Sequence, residues 1–193
     1  MNTPAHILIA AGLFARPGRP GLGLAAMAGA LVPDISVFTM VAWEHLVQGR
    51  PLSLVFGYDY RDPFWQGIFA VDNSIPLWAL LALAALAWRK PMLAAFAAAG
   101  LLHVICDLPL HNEDARRHFW PLSDYVFHSP LSYWNPARHA GWVAPAELLL
   151  CLAAALALAR RYPASGARVA LGLGLGVEAL CTMGPIAAMA MAG

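Results

Sequence analysis

The apolar positions of this chain fall into six runs, at about 5–15, 21–47, 68–88, 92–110, 143–159 and 168–192. They are rich in Ala and Leu, which predicts helices rather than strands. The third and sixth reach the roughly 20 residues that a bilayer-spanning helix needs, and the fourth and fifth lie near that limit. The first is shorter. It predicts a half-helix packed inside a bundle, or a span completed by neighbouring residues. Pro33 interrupts the second run, so one helix is expected from Gly21 to about Val32 and another from Ile35 to Val47. Short turns follow from Arg16-Pro17-Gly18-Arg19-Pro20, from Arg89-Lys90-Pro91 and from Arg160 to Gly166. Two longer polar stretches remain, at about 48–66 and 111–142. Gly172, Gly174 and Gly176 predict close helix packing in the last run.

Composition turns these helices into membrane helices. Of 193 residues, 60% are hydrophobic and 12% charged, against about 45–50% and 25% in soluble domains. Too little charge is present to cover a soluble surface, and too much apolar matter for a disordered chain. Twelve basic residues against 11 acidic give +1, which leaves no strongly basic face for nucleic acid. The expected fold class is all-α. Residues 1–193 form a single integral membrane domain, a multi-pass helical bundle of five to six spans with short or broken helices near the N-terminus. Cys106, Cys151 and Cys181 lie in apolar runs without a CxxC pair and are expected as small core residues. Met1 to His6 shows no basic segment or cleavage site, so no signal peptide is expected.

If every run crosses once, one side collects Arg16, Arg19, Arg89, Lys90, Arg160, Arg161 and Arg168 in short loops. The other carries Arg50, Arg61, Arg116, Arg117 and Arg138 in long ones. Short basic loops face the cytoplasm. The long loops and both termini are then expected outside, which in a Gram-negative bacterium is the periplasm.

The ionisable residues gather at that outer side: His6, Asp72, His103, Asp107, His111, Asp114, His118 and Glu147. Charged or imidazole groups in apolar helices normally face the protein interior or a water cavity. The densest group is His103, Asp107, His111, Asp114 and His118, in steps of 4, 4, 3 and 4. On one continuous helix these share a face of about a quarter-turn. Imidazole and carboxylate at i, i+4 suit a divalent ion. Pro109 is expected to bend that face after Asp107, which makes His103 with Asp107 the primary pair. The same pair also reads as a buried hydrogen-bonded contact without metal. Asp34 reads as a helix cap at Ile35 or as a site residue, and Asp72-Asn73-Ser74 as a cap of the third run. Glu147 reads as favourable charge at a helix N-terminus. Glu178 lies deep in the last run with its role open. His45, His128 and His139 are expected in loops, and the aromatic residues of 120–142 in an interfacial belt. No nucleophile elbow, P-loop or dinucleotide fingerprint is present.

His6, the pair Pro33-Asp34 closing the second run, and His103-Val-Ile-Cys-Asp107 closing a later one carry a resemblance. Over residues 1–125 the chain resembles a family of bacterial inner-membrane metal-dependent hydrolases, the group that includes the LexA-regulated membrane protein of enterobacteria. The resemblance implies a multi-pass helical protein, a divalent metal and hydrolysis. Two positions differ from the family pattern. Ser36 stands where a second acidic residue is usual, and Asp72 or Asn73 where a histidine is usual. His111, Asp114 and His118 are the available substitutes.

Two readings follow. In the first, a zinc ion is held by His103 and Asp107 with some of His6, Asp34, Asp72, His111 and His118. Asp34 or Asp114 is the general base, and the substrate is a membrane lipid or lipid-linked ester or phosphodiester. In the second, the protein is not an enzyme. The same cluster then binds a structural metal or carries a solute or ion through the bundle.

Overall fold

The computed structural model describes the backbone through Ala192 and side-chain environments through Gly184. Among the described residues the chain is helical, with no strand beyond an isolated bridge between Arg16 and Arg19. The helices are α1 (Thr3–Phe14), α2 (Pro20–Ala42), α3 (Leu52–Gly57), α4 (Pro63–Asp72), α5 (Ile75–Ala87), α6 (Pro91–Asp107), α7 (Ala140–Arg161) and α8 (Ser165–Ala192). A π-helical turn, Trp43–Val47, extends α2. Five segments are long and apolar enough to cross a membrane: Pro20–Val47, Pro63–Ala87, Pro91–Leu110, Ala140–Arg161 and Ser165–Gly184. Leu80, Leu83, Leu86, Leu149 and Leu173 point outward and are exposed, as side chains that meet lipid would be. The architecture is an all-α bundle that fits a multi-pass membrane protein.

At 12 residues, α1 is too short to span, and it lies inside the bundle against α2, α7 and α8. Its small residues allow this. Ala5, Ala10 and Ala11 are buried, and a Cβ at Gly12 would lie 3.0 Å from that of Ala154 on α7. The Arg161 guanidinium closes the far end of α1, donating to the carbonyls of Gly12 at 2.6 Å and Ala15 at 3.3 Å.

Pro33 does not end the second helix as expected. The helix passes through it from Pro20 to Ala42. Proline inside a helix leaves a carbonyl without its partner, and neighbours in a bundle can satisfy the freed groups. Pro33 withholds an amide from the carbonyl of Gly29, and the nearby carbonyls of Ala30 and Pro33 gain bonds from the His103 and Asn73 side chains. Gly29 brings α2 onto α6 so closely that a Cβ there would fall on the carbonyl of Phe96. Gly100 of α6 likewise leaves its side-chain space to the Trp78 indole of α5.

The third run begins at Pro63 and breaks at Asn73-Ser74. Ser74 caps α5 by accepting from the Leu77 amide at 3.1 Å. As expected from Pro109, α6 stops at Asp107 and tightens into a 3-10 turn, Leu108–Leu110. The glycine expectation for the last run does not hold. A Cβ at Gly172 or Gly176 would meet nothing, and only Gly174 approaches a neighbour, Leu8, at 3.4 Å. Glu147 is not at a helix start either. It lies two turns into α7, buried, where it accepts from the Asn2 amide at 2.7 Å and the Asn2 side chain at 3.3 Å. Glu178 is buried against Thr182, whose hydroxyl bonds it. His45, His128 and His139 are exposed.

Candidate metal centre

The site is assembled at the end of the bundle opposite the short basic turns. First come two helix positions one turn apart. His103 and Asp107 end α6 and share its inner face, and both are buried. The His103 Nε2 lies 3.2 Å from Asp107 Oδ2. From α1, His6 enters the same volume. Its ring stacks on that of His103, with centroids 3.6 Å apart and planes 12° from parallel. The His6 Nε2 lies 2.9 Å from Asp107 Oδ1, and the Met1 ammonium is 2.7 Å from the same oxygen. Beyond the bend at Pro109, His111 turns back, and its Nε2 lies 3.3 Å from Asp107 Oδ2. One buried carboxylate therefore faces three imidazole nitrogens.

His6, His103 and Asp107 offer ligand atoms that all lie within 4.8 Å of one another, a grouping able to hold a metal ion. The hydrogen bonds agree with that role. The His103 Nδ1 donates to the Ala30 carbonyl at 2.6 Å, which fixes its tautomer. The His111 Nδ1 donates to Asp114 Oδ2 at 2.8 Å. The Nε2 atoms of both rings are buried without a hydrogen-bond partner and aim at Asp107. Metal-ligating histidines usually donate their other nitrogen to a carbonyl or carboxylate in this way.

Asp34, from the middle of α2 just after Pro33, stands at the edge of the cluster. Its Oδ1 is 3.7 Å from His103 Nε2 and 3.9 Å from the Arg116 guanidinium, and Thr3 donates to its Oδ2. Asp114 is brought in as the partner of His111, so its carboxylate orients an imidazole. Asp72 and His118 are not brought in. Asp72 makes no ion pair among the described residues, and its carbonyl accepts from the Trp78 indole at 2.7 Å. The His118 Nδ1 donates to the Asn73 carbonyl at 3.0 Å, which ties the long loop to the break between α4 and α5. The helix bend explains both departures. A continuous helix would have kept His118 on the face of Asp107, but the chain leaves helical geometry at Leu108.

Several residues of the site gave no signal in the sequence. Arg116 is buried. It donates to Asn73 Oδ1 at 2.7 Å and to the Tyr60 hydroxyl at 3.2 Å, and lies over the Phe69 ring. Its neighbours Tyr60 and Asp34 hold it charged against the cost of burial, so its pKa is raised. Burial opposes charge on His111, but Asp107 and Asp114 outweigh it and raise its pKa. Burial also opposes the Asp114 carboxylate, but its bond from His111 and the nearby Arg116 lower its pKa. Burial lowers His118 to about 4, with Arg116 adding to the effect against the Asn73 carbonyl. Tyr133 packs its ring 5.0 Å from that of His111, and burial keeps its hydroxyl neutral. Only the position of Arg116 inside the His-Asp run hinted at its role.

A cavity of about 1550 Å³ opens beside the centre, with Asp34, His111, Asp114 and Arg116 in its wall. No protein-family model, curated protein or solved structure matches the chain.

Proposed function

We propose that this protein is a membrane-embedded, zinc-dependent hydrolase acting on a lipid or lipid-linked ester or phosphodiester. The observation that carries this reading is the pair of orphaned Nε2 atoms, His103 and His111, turned with His6 onto the buried Asp107 carboxylate. Imidazole nitrogens with a carboxylate are a usual donor set for zinc, and the cavity reaches this one at His111. Zinc bound there supplies a Lewis acid and lowers the pKa of its water toward neutrality.

The remaining roles fall to the chain's own residues. His6, His103, His111 and Asp107 hold the ion. Ala30 and Asp114 fix the orientation of the two rings. Asp34 faces the cavity beside His103 and accepts a proton from the attacking water. Arg116, next to Asp34 and lining the same cavity, stabilises negative charge on the scissile group. The dense Arg and Lys of the short turns support a cytoplasmic placement of the opposite end. The centre would then face the periplasm from the bacterial inner membrane.

The test is turnover by the full chain in vesicles, with zinc restored after chelation and release of the lipid headgroup or fatty acid measured. Asp34→Asn is expected to keep zinc and lose at least about 100-fold in rate, the usual scale for a general base. Failure of the zinc-loaded protein to hydrolyse any ester or phosphodiester lipid would overturn the reading.

One feature favours the non-enzymatic reading. Glu147 and Glu178 lie beside one another, and among the described residues their Oε2 atoms are buried without a hydrogen-bond partner, as on an ion path. Solute or ion flux in proteoliposomes that is lost in His103→Ala would support that reading over hydrolysis.

A further inference from the structure

The large cavity is a furrow rather than a pit. Among the described residues, α1 forms its floor, through Thr3, Ile7, Ala11 and Ala15. One wall is α2, through Leu24, Met27 and Phe38. The other is α8, through Ala170, Gly174 and Val177. Packing of α8 is on α7 and α1, which leaves the slot between α2 and α8 open on the lipid side.

Polarity along the furrow is one-sided. From Ala15 and Ala167 up to Ile7 and Val177 the lining is apolar. The acids and bases of the lining, Asp34, Arg61, His111, Glu113, Asp114 and Arg116, occur at the other end. From Thr3 to Ala15 the floor runs about 18 Å, at 1.5 Å per residue. The hydrocarbon depth of one leaflet is about 15 Å, half of a 30 Å core. The volume exceeds the few hundred to about 1,000 Å³ of ordinary small-ligand pockets.

We infer that one alkyl tail of a membrane phospholipid lies in this furrow, entering sideways between α2 and α8, with its phosphodiester between Arg116 and the His-Asp centre. The polar end sets the Arg61 and Arg116 guanidinium groups beside the carboxylates of Asp34, Glu113 and Asp114, so the two guanidiniums, together with the metal of the hydrolase reading, are what place the phosphodiester. The position of the scissile bond rests on the hydrolase reading above, whereas the seat of the tail rests on the furrow alone. Gly174 keeps the slot open, because a bulky side chain there would reach across the floor toward Leu8.

The experiment uses the full chain in vesicles of phosphatidylethanolamine and phosphatidylglycerol. A small fraction of the phosphatidylglycerol carries a diazirine on its tail. After irradiation, adducts are mapped by tandem mass spectrometry. They are expected to concentrate on Leu24, Met27 and Leu171, and to fall at least fivefold in Ala170→Trp and Val177→Trp. Leu173→Trp and Leu180→Trp, exposed and outside the furrow, are expected to leave them unchanged. Leu24→Trp repeats the block from the opposite wall should a change in α8 disturb folding. Adducts spread evenly around the outward faces, or indifferent to the blocking tryptophans, would overturn the inference. The two readings separate cleanly. A furrow-specific pattern without turnover refutes the hydrolase and keeps the tail seat. Full turnover in the blocked variants refutes the seat and keeps the hydrolase.

Discussion

The Nδ1 of His103 donates to the main-chain carbonyl of Ala30 at 2.6 Å, one turn before Pro33 on a different helix. This bond joins the proline segment of α2 to the candidate metal centre. Pro33 withholds the amide that would pair the Gly29 carbonyl, and at the next residue an imidazole from α6 bonds the carbonyl of Ala30. The ring is thereby held in the tautomer whose Nε2 lone pair faces Asp107. Pro33→Ala restores the amide donor to the Gly29 carbonyl and removes the ring that crowds it, which shifts the neighbouring Ala30 relative to His103. We expect zinc affinity to fall about tenfold, in the usual range for loss of a ligand's supporting bond. Competitive titration against a chromogenic chelator reads this directly, and an unchanged affinity would show that the proline segment of α2 is not coupled to the site.

Asp114 plays the corresponding part for His111, at 2.8 Å. Asp114→Asn keeps the shape but replaces a charged acceptor with a neutral one. Zinc affinity is expected to drop about 10- to 100-fold, with little effect on folding in chelator. Were Asp114 instead the proton acceptor in catalysis, the variant would keep its affinity and lose its rate, and the same titration separates the two.

Much of this architecture is legible in the sequence because bilayer helices must be long and apolar. The runs mark the spanning segments, and the shortness of the first marks α1 as an internal half-helix. The stop at Asp107 follows from Pro109. Pro33 misleads because tertiary partners act where the helix passes it: Asn73 and His103, 40 and 70 residues away, bond the carbonyls of Pro33 and Ala30. His103 and Asp107 are legible as a pair because they share one helix face. The convergence of His6 on them depends on where α1 docks, which Glu147 fixes through Asn2. The separation of His118 from the centre follows from the loop path, and no periodicity encodes that.

The pH dependence of stability has a definite sign. His118 is lowered from its ordinary 6.5 to about 4 by burial. The folded state therefore keeps it neutral where the unfolded chain binds a proton, so its contribution is complete above pH 6.5 and is lost as pH falls toward 4. Thermal unfolding of the detergent-purified protein is expected to show this acid limb, flattened in His118→Gln. His111 works in the opposite direction. Its raised pKa stabilises the metal-free protein below pH 6.5, and that contribution fades as pH rises through the folded value. Zinc replaces its proton, so added zinc is expected to raise the melting temperature more at pH 8 than at pH 6. An equal zinc effect at both values would contradict His111 as a ligand.

Gly29 and Gly100 hold α6 against α2 and α5 by leaving room for the Phe96 carbonyl and the Trp78 ring. Gly29→Val places methyl groups onto main chain that cannot yield, and is expected to cost about 1–3 kcal/mol. It also moves Ala30 relative to His103, so zinc affinity falls with stability. Gly141→Val, where a Cβ meets nothing within 4 Å, is the control expected to leave affinity unchanged. Chelator-free and zinc-loaded melting curves of the two variants test the coupling.

The central claim is that His6, His103, His111 and Asp107 form a metal centre rather than a buried hydrogen-bond network. Metal content of the detergent-purified protein, by elemental mass spectrometry beside His103→Ala and Asp107→Ala, tests it most directly. The account predicts about one equivalent of zinc in the wild type and near none in either variant, with both variants still folded by circular dichroism. Wild-type protein that stays metal-free after reconstitution with zinc or manganese, or variants that retain a full equivalent, would contradict it.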